Sequence, residues 1–259
     1  MPRPLILLSN DDGYLAPGIE ALREALERFA DVILCAPAVN QSASSHSLTL
    51  HSVLRLHRVD DRTFAVSGTP ADCVYVALHS GTRLLPRRPD MVVSGMNHGP
   101  NLGIDVVYSG TVGAAREGAH RGIPAVAVSA DNTAHRQHAA ELGARVAESL
   151  WTQVRELTWG ETPARRHAPL LNVNVPPGDG WTVASTKLGR RLYDDDVVYR
   201  NDPRGREYLW IGGSKFEHEL DEGTDTHAWE EGQASVTPLT LDLFDETHGV
   251  LADQVVVEL

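Results

Sequence analysis

Apolar residues alternate between two patterns along the first two thirds of the chain. Short continuous apolar runs are typical of strands buried on both faces, and apolar positions spaced three or four residues apart are typical of helices. The runs predict strands at residues 4–9, 31–36, 90–94, 124–129 and 170–175, with shorter strands at 48–57 and 63–67. The periodic segments predict helices at 18–29, 70–79, 111–121 and 134–157.

The alternation of strands and helices predicts the fold class. Strand–helix–strand units at this spacing favour right-handed crossovers and a mostly parallel sheet with helices on both faces. We therefore expect an α/β, doubly wound catalytic core over residues 1–176.

The composition changes after residue 176. The chain becomes polar and rich in Asp, Arg and Gly, which predicts a β-rich extension over residues 177–259. Residues 197–212 have the pattern of a hairpin that turns at 201–205, and the final QVVVEL, residues 254–259, has the pattern of a strand. This extension is a candidate for contacts between subunits.

Oxygen-bearing side chains follow three of the predicted strands. Ligands of open parallel sheets bind at the carboxyl ends of the strands, so these positions are candidates for a site. They are Asn10, Asp11 and Asp12 after the first strand, Ser42 and Ser44 after the second, and Asn97 after the run at 90–94. Such a set suits a hard divalent cation, Mg²⁺, Mn²⁺ or Ca²⁺.

Asp11 and Asp12 carry most of this argument. Adjacent carboxylates repel each other, and a bound divalent cation offsets that cost. The alternative is an ordinary turn at Asp12-Gly13 with Asp11 as a helix cap, and Ser42 and Asn97 taken singly are also common turn residues.

Ser109, Gly110 and Thr111 precede the predicted helix at 111–121. Free amides at a helix N-terminus, together with hydroxyl groups, form an anion site, although an ordinary N-cap has the same pattern. His46 and His98 lie in candidate site loops and could polarise a water molecule.

Charge and composition argue against several classes of protein. A formal net charge of −12 disfavours binding to duplex nucleic acid, and it requires a phosphate site to be locally positive. The two cysteines do not form a disulfide framework, and no segment has the length of a membrane span, so we expect a cytoplasmic protein. No dinucleotide fingerprint or P-loop follows the first strand.

Several motifs resemble the SurE (survival protein E) family of nucleotidases. They include LLSNDDGYLAPGIEAL at the start, GTPADCVYVAL at 68–78, PDMVVSGMNHGPNLGIDVVYSGTVGAAREG at 89–118, and RNDPRGREYLWIGG and TDTHAWEEGQASVTPL in the last third. The resemblance extends over nearly the whole chain, with the motifs in the same order.

The resemblance implies a Rossmann-like core and hydrolysis of nucleoside 5′-monophosphates, with activity on 3′-nucleotides and short polyphosphate sometimes associated. It implies one divalent metal ion on Asp11, Asp12, Ser42 and Asn97. It also implies a homodimer or homotetramer that exchanges C-terminal elements. Gln41 and Ala43 stand where the family usually has a basic residue and a Gly.

The mechanism and two rival functions stay open at this point. A metal could orient a water molecule, with Asn10, Ser44, Ser109, Gly110 and Thr111 as candidate substrate contacts, or one Asp could attack as a nucleophile. The rival functions are a non-catalytic nucleotide or metal sensor and a glycosyltransferase-like enzyme.

Overall fold

A nine-stranded sheet forms the centre of the protein in the computed structural model. The structure describes residues 3–157, 167–194, 197–211, 216–248, 250 and 254–256. The strands are β1 Leu5–Ser9, β2 Asp31–Pro37, β3 Leu56–Arg58, β4 Thr63–Val66, β5 Met91–His98, β6 Ala125–Ala130, β7 Leu170–Val175, β8 Val183–Ser185, β9 Arg191–Tyr193, β10 Val197–Asn201, β11 Glu207–Ile211, β12 Phe216–His218 and β13 Ala234–Leu239. The helices are α1 Pro17–Leu26, α2 Pro70–His79, α3 Asp105–Tyr108, α4 Gly110–His120, α5 Arg136–Val154 and α6 Asp225–Glu230.

The strand order is β3-β4-β2-β1-β5-β6-β7-β13-β8. The neighbours from β4 to β7 pair in parallel, whereas β3 and β13 run antiparallel to β4 and β7. The mostly parallel α/β sheet expected from the sequence is therefore confirmed. The order reverses direction at β1, because β2 lies on one side of it and β5 on the other. Ligands bind at such a switch point in open α/β sheets.

Helices cover both faces of the sheet, as the apolar runs require. Ile6 and Leu8 of β1 pack in one core with α1 and α5, while Leu5 and Leu7 pack in a second core with α2 and α4. Because every β1 residue is buried, the run is apolar throughout rather than alternating.

The short strand predicted at residues 48–57 is mostly wrong. Residues 48–55 are irregular, and only Leu56–Arg58 forms a strand at the sheet edge. The segment is held elsewhere: the backbone N–H and the hydroxyl of Thr49 both donate to Asp72 of α2, at 2.8 and 2.6 Å. Leu50 and Val53 stay exposed, and Leu54 is partly buried against the core with α2 and α4.

Of the two elements predicted in the extension, the described part of the structure contains the hairpin but not the strand at the tail. β10 and β11 form the expected antiparallel hairpin, apart from residue 212, which lies outside the described residues. Residues 254–256 are helical, so the strand expected at the tail is wrong there, and residues 257–259 lie outside the described part. A local valine run cannot form a strand without a neighbouring edge to pair with. β8 and β13 join the central sheet although they follow residue 176.

Among the described helices, none combines the length and the apolar character that a membrane crossing requires.

Candidate active site

The loop after β1 is held by a side chain that the sequence assigned to substrate contact. The Asn10 carboxamide donates to the Gly13 carbonyl oxygen at 2.9 Å and accepts from the Gly13 N–H at 3.2 Å. Gly13 has a φ of +101°, a conformation that favours glycine. Asn10 is fully buried and fixes the turn that presents the two aspartates.

Asp11 is a buried carboxylate with one strong side-chain partner. It is 4% exposed and accepts a hydrogen bond from the hydroxyl of Thr111, a residue that lies 100 positions later in the chain. Burial raises the pKa of Asp11, the Asp12 charge raises it further, and the Thr111 hydrogen bond opposes both effects. A cation next to these carboxylates would offset the cost of burying the charge.

Asp12 is oriented by the loop after β5. Its carboxylate accepts from the His98 N–H at 3.1 Å and from the Asn40 amide at 3.4 Å. The His98 Nδ1 atom lies 3.8 Å from the same carboxylate. His98 therefore lies at the candidate centre, whereas His46 pairs with Glu117 at 2.8 Å in α4.

A bulge in β5 aims Asn97 toward the aspartates. The pairing of β5 with β6 shifts register between Gly95 and Asn97, which turns the strand at its carboxyl end. The Asn97 amide nitrogen donates to the Gly99 carbonyl at 2.8 Å. The amide oxygen is then the atom that Asn97 can offer to a cation.

The loop after β2 brings Ser42 to the same cleft. The Gln41 N–H donates to the Asp11 carbonyl at 2.7 Å, which ties this loop to the one after β1. The Ser42 N–H and hydroxyl both donate to the Asn40 side chain, at 2.9 and 2.7 Å. Ala43 has a φ of +58°, so the usual family Gly would suit this position better than Ala does.

The N-terminus of α4 lies against Asp11 and Ser44. A Cβ atom at Gly110 would lie 2.9 Å from the Asp11 Cβ and 2.6 Å from the Ser44 hydroxyl, so only glycine allows this approach. Ser109 caps the helix by accepting from the Val112 N–H at 3.1 Å. The buried Ser44 hydroxyl has no hydrogen-bond partner among the described residues, so it is available to a bound group.

Asp11, Ser42, Asn97 and Ser109 line one cleft of about 300 Å³. Its volume lies at the lower end of the range for small-molecule sites, about 300–1,000 Å³. Thr111 and Asn10 are bonded inside the protein and support the aspartates from behind. All candidate ligand atoms are oxygens, which fits a hard divalent cation.

Part of the cleft wall was not predicted from the sequence. Asp105, Tyr108 and Tyr193 line the cleft, and the Tyr193 hydroxyl donates to Asp105 at 2.6 Å. The only local signal was Tyr108, next to the predicted anion site. Tyr193 lies on β9, far away in the chain, and its neighbours carry no recognisable pattern.

Asn101 was also missed as a lining residue, although it lies in the loop after β5. Its N–H donates to the Asn174 side chain at 2.7 Å, and its amide donates to the Ser129 hydroxyl at 2.8 Å. Asn172 and Asn174 both donate to its carbonyl, at 2.9 and 3.1 Å. This buried amide network fixes the loop that follows Asn97.

A separate group of potential ligands lies outside the cleft. His135, His138 and Asp179 are exposed, and their ligand atoms lie within 4.8 Å of one another. The two imidazole rings stack with centroids 4.0 Å apart and planes 27° apart, while His138 pairs with the Asp179 carboxylate at 2.8 Å. The His135 Nδ1 atom accepts from the His138 N–H at 3.4 Å, and the group lies at the start of α5, apart from the cleft residues.

Comparisons with known proteins agree with one another. The family model described as survival protein SurE matches residues 6–195. The chain is 60% identical over 257 residues to the 5′-nucleotidase SurE of Sorangium cellulosum, which covers 99% of this chain and 97% of that protein. It is 47% identical over 252 residues to the 5′-nucleotidase SurE of Myxococcus xanthus, which covers 96% of this chain and 91% of that protein.

A solved structure supports the same assignment. The crystal structure of the SurE protein from Aquifex aeolicus matches with a TM-score of 0.78 and 36% sequence identity, over 97% of this chain and 99% of that one. Fold, motifs and full-length similarity therefore lead to one conclusion: the chain belongs to the survival protein SurE family.

Proposed function

We propose that the protein is a metal-dependent phosphomonoesterase that hydrolyses nucleoside 5′-monophosphates to nucleoside and phosphate. The observation that carries the proposal is the convergence of Asp11, Ser42 and Asn97 with the N-terminus of α4 in one cleft. The relatives named 5′-nucleotidase SurE, at up to 60% identity, support the choice of substrate.

Asp11, Asp12, Ser42 and Asn97 are the residues that would hold one divalent ion, Mg²⁺ or Mn²⁺. When bound, such an ion supplies positive charge for a phosphate oxygen and for the water that attacks phosphorus. The fit rests on an all-oxygen donor set and on two adjacent carboxylates, one of them buried. The protein is strongly acidic, so a local positive charge is needed before a phosphate can bind.

The chain's own groups supply position and hydrogen bonds. Thr111 and the His98 N–H fix the two carboxylates, and the bulge at Asn97 fixes the amide oxygen. The Ser44 hydroxyl and the first amides of α4, at Gly110 and Thr111, would donate to the oxygens of the phosphate. Phosphoryl transfer depends mainly on such positioning and charge stabilisation.

Assembly and location belong to the same proposal. The hairpin of β10 and β11 exposes Tyr199, Leu209, Trp210 and Ile211, and an isolated two-stranded hairpin is only marginally stable in water. A homodimer or homotetramer in which the extension contacts a second copy would cover these side chains. Both cysteines are free and buried, which agrees with a cytoplasmic protein.

The test is phosphate release from a panel of 5′-nucleotides, 3′-nucleotides and short polyphosphate. Wild type is assayed with chelator and then with added Mg²⁺ or Mn²⁺, beside Asp11→Asn. We expect metal to restore release in wild type, and we expect the variant to lose on the order of 100-fold or more in kcat, because it removes charge at the reacting group.

Asp61→Asn is the matched control, since the Asp61 side chain is 97% exposed and lies away from the cleft. Equal release by wild type and Asp11→Asn would move the metal centre elsewhere. Trapping a phosphorylated aspartate would replace direct attack by water with a covalent step.

A further inference from the structure

Two aromatic side chains line the cleft that contains the candidate metal ligands. Tyr108 is 60% exposed and Tyr193 is 39% exposed. They come from different parts of the fold, α3 and β9. The proposed reaction gives the metal and phosphate groups a role but leaves these rings without one.

Tyr193 is held in a fixed orientation. Its hydroxyl donates to one oxygen of Asp105 at 2.6 Å, and Arg191 donates to the other oxygen at 2.6 Å. The Arg191 guanidinium lies 5.3 Å from the centre of the Tyr193 ring and 3.8 Å from that of Phe216. The ion pair is well shielded, with the two side chains 10% and 13% exposed. A ring already fixed in this way loses little conformational entropy when a ligand binds.

The same residue, through its main chain, links the ring to the phosphate end of the cleft. Asp105 and Tyr108 are the first and last residues of α3, three positions apart and so on one side of that turn. The Ser109 N–H donates to the Asp105 carbonyl at 3.0 Å, and Ser109 caps α4. Asp105 therefore fixes the distance between Tyr193 and the proposed phosphate site.

The Tyr193 hydroxyl is committed to Asp105. Burial raises the pKa of Tyr193 above its ordinary value, and the Asp105 carboxylate raises it further, so the phenol stays protonated and continues to donate. What the residue has left to offer a ligand is the face of its ring.

Given the proposed function, we infer that Tyr193 forms a stacking subsite for the nucleobase, with Tyr108 as a second aromatic at its rim. Asp105 and Arg191 are positioning residues that hold the Tyr193 ring. Stacking on an aromatic face does not distinguish the hydrogen-bonding edges of the bases. The subsite therefore accepts purine and pyrimidine nucleotides, with the larger purine gaining more contact.

The test compares AMP with ribose 5-phosphate, which has the same sugar and phosphate but no base. Tyr193→Leu in the full-length, Mg²⁺-loaded protein should raise KM for AMP about tenfold, as expected for the loss of one base–aromatic stack. Its kcat for AMP, and both constants for ribose 5-phosphate, should stay at wild-type values. Tyr193→Phe keeps the ring and should retain most of the AMP affinity.

Two further variants separate stacking from a structural effect. Tyr75→Leu is the matched control, because Tyr75 is 38% exposed on α2 and does not line the cleft. Asp105→Asn weakens the support of the ring and should raise KM for AMP by less than Tyr193→Leu does, with kcat unchanged. An unchanged KM for AMP in Tyr193→Leu, or an equal loss for AMP and ribose 5-phosphate, would overturn the inference.

The inference and the proposed function fail in different ways. If wild type releases no phosphate from any nucleotide, the proposed function is wrong, and calorimetric binding of AMP with Mg²⁺ decides the subsite. About tenfold weaker binding by Tyr193→Leu than by wild type would support the stack. Equal binding, or no binding to wild type, would reject it.

Discussion

At the scale of single residues, the cleft depends on side chains that are fixed by partners distant in the sequence. Asp11 is held by Thr111, Asp12 by the backbone of His98, and Tyr193 by Asp105. The sequence indicated the aspartates and Asn97, because they follow buried apolar runs in the chain. It could not indicate Tyr193, because its partner Asp105 lies 88 residues earlier in the chain.

Ala43 carries backbone strain that glycine would relieve. Its φ is +58°, where an L-residue with a Cβ costs roughly 1–2 kcal/mol. We expect Ala43→Gly to raise the free energy of unfolding by about 0.5–1 kcal/mol. Relief of the strain stabilises the folded protein, and the greater freedom of glycine in the unfolded chain offsets part of that stabilisation. Urea unfolding of both proteins measures the difference.

Ala38→Gly is the control for this substitution. Ala38 is exposed, lies in the same loop region and has no positive φ. Glycine there should lower the stability slightly, because only the entropy cost applies. If Ala43→Gly lost as much stability as Ala38→Gly, the explanation by backbone strain at Ala43 would be wrong.

At the scale of elements, α4 connects the cleft to a buried charge cluster. The helix begins at the cleft with Gly110, and two turns later Glu117 is 2% exposed. Glu117 accepts from His46 and from Arg121, both at 2.8 Å. His46 lies in the loop that also carries Ser42 and Ser44, so the far end of α4 anchors that loop.

Glu117→Gln should destabilise the protein in a pH-dependent way. Burial alone would raise the pKa of Glu117, but the His46 and Arg121 contacts outweigh it and hold the pKa below its ordinary value. The carboxylate therefore contributes stability above the ordinary glutamate pKa, about 4.3, and this contribution is lost as the pH falls through the lowered folded-state value. We expect a loss of about 1–3 kcal/mol at neutral pH.

Urea unfolding at pH 7 and at successively lower pH checks this expectation. The gap between wild type and Glu117→Gln should shrink as the pH falls below the ordinary glutamate pKa. Glu148→Gln on α5 is the control, because Glu148 is exposed, and it should show no gap at neutral pH. A Glu117→Gln gap that does not change with pH would contradict the charge-based explanation.

At the scale of the whole molecule, the extension presents apolar side chains that the described protomer does not cover. Trp210 is 66% exposed and Ile211 is 85% exposed on β11. Large exposed apolar patches mark interaction sites in soluble proteins. We propose a second copy of the chain as the partner of this surface, as in the homodimer or homotetramer proposed above.

The double variant Trp210→Ser with Ile211→Ser tests this surface. We expect its mass in light scattering to fall toward that of one protomer, since the variant removes apolar area from the contact. Val53→Ser is the control, because Val53 is 79% exposed but lies outside the extension. A double variant that keeps the wild-type mass would place the subunit contact on another surface.

The sequence by itself determined the α/β class, the order of the elements in the core and the identity of the two aspartates. These follow from local information: apolar runs need burial on both faces, and polar residues at the ends of parallel strands share one edge of the sheet. The hairpin at β10 and β11 followed from its turn in the same way.

Only the tertiary structure decided which residues join the cleft from a distance and which apparent strands find a partner. Residues 48–55 alternate like a strand, yet Thr49 bonds to Asp72 and no sheet edge receives them. β13 pairs with β7 although its first residue, Ala234, lies 59 positions after Val175, the last residue of β7. Strand pairs and the walls of the cleft are formed by segments that lie far apart in the chain. The periodic pattern of one segment does not show which distant segment it will contact.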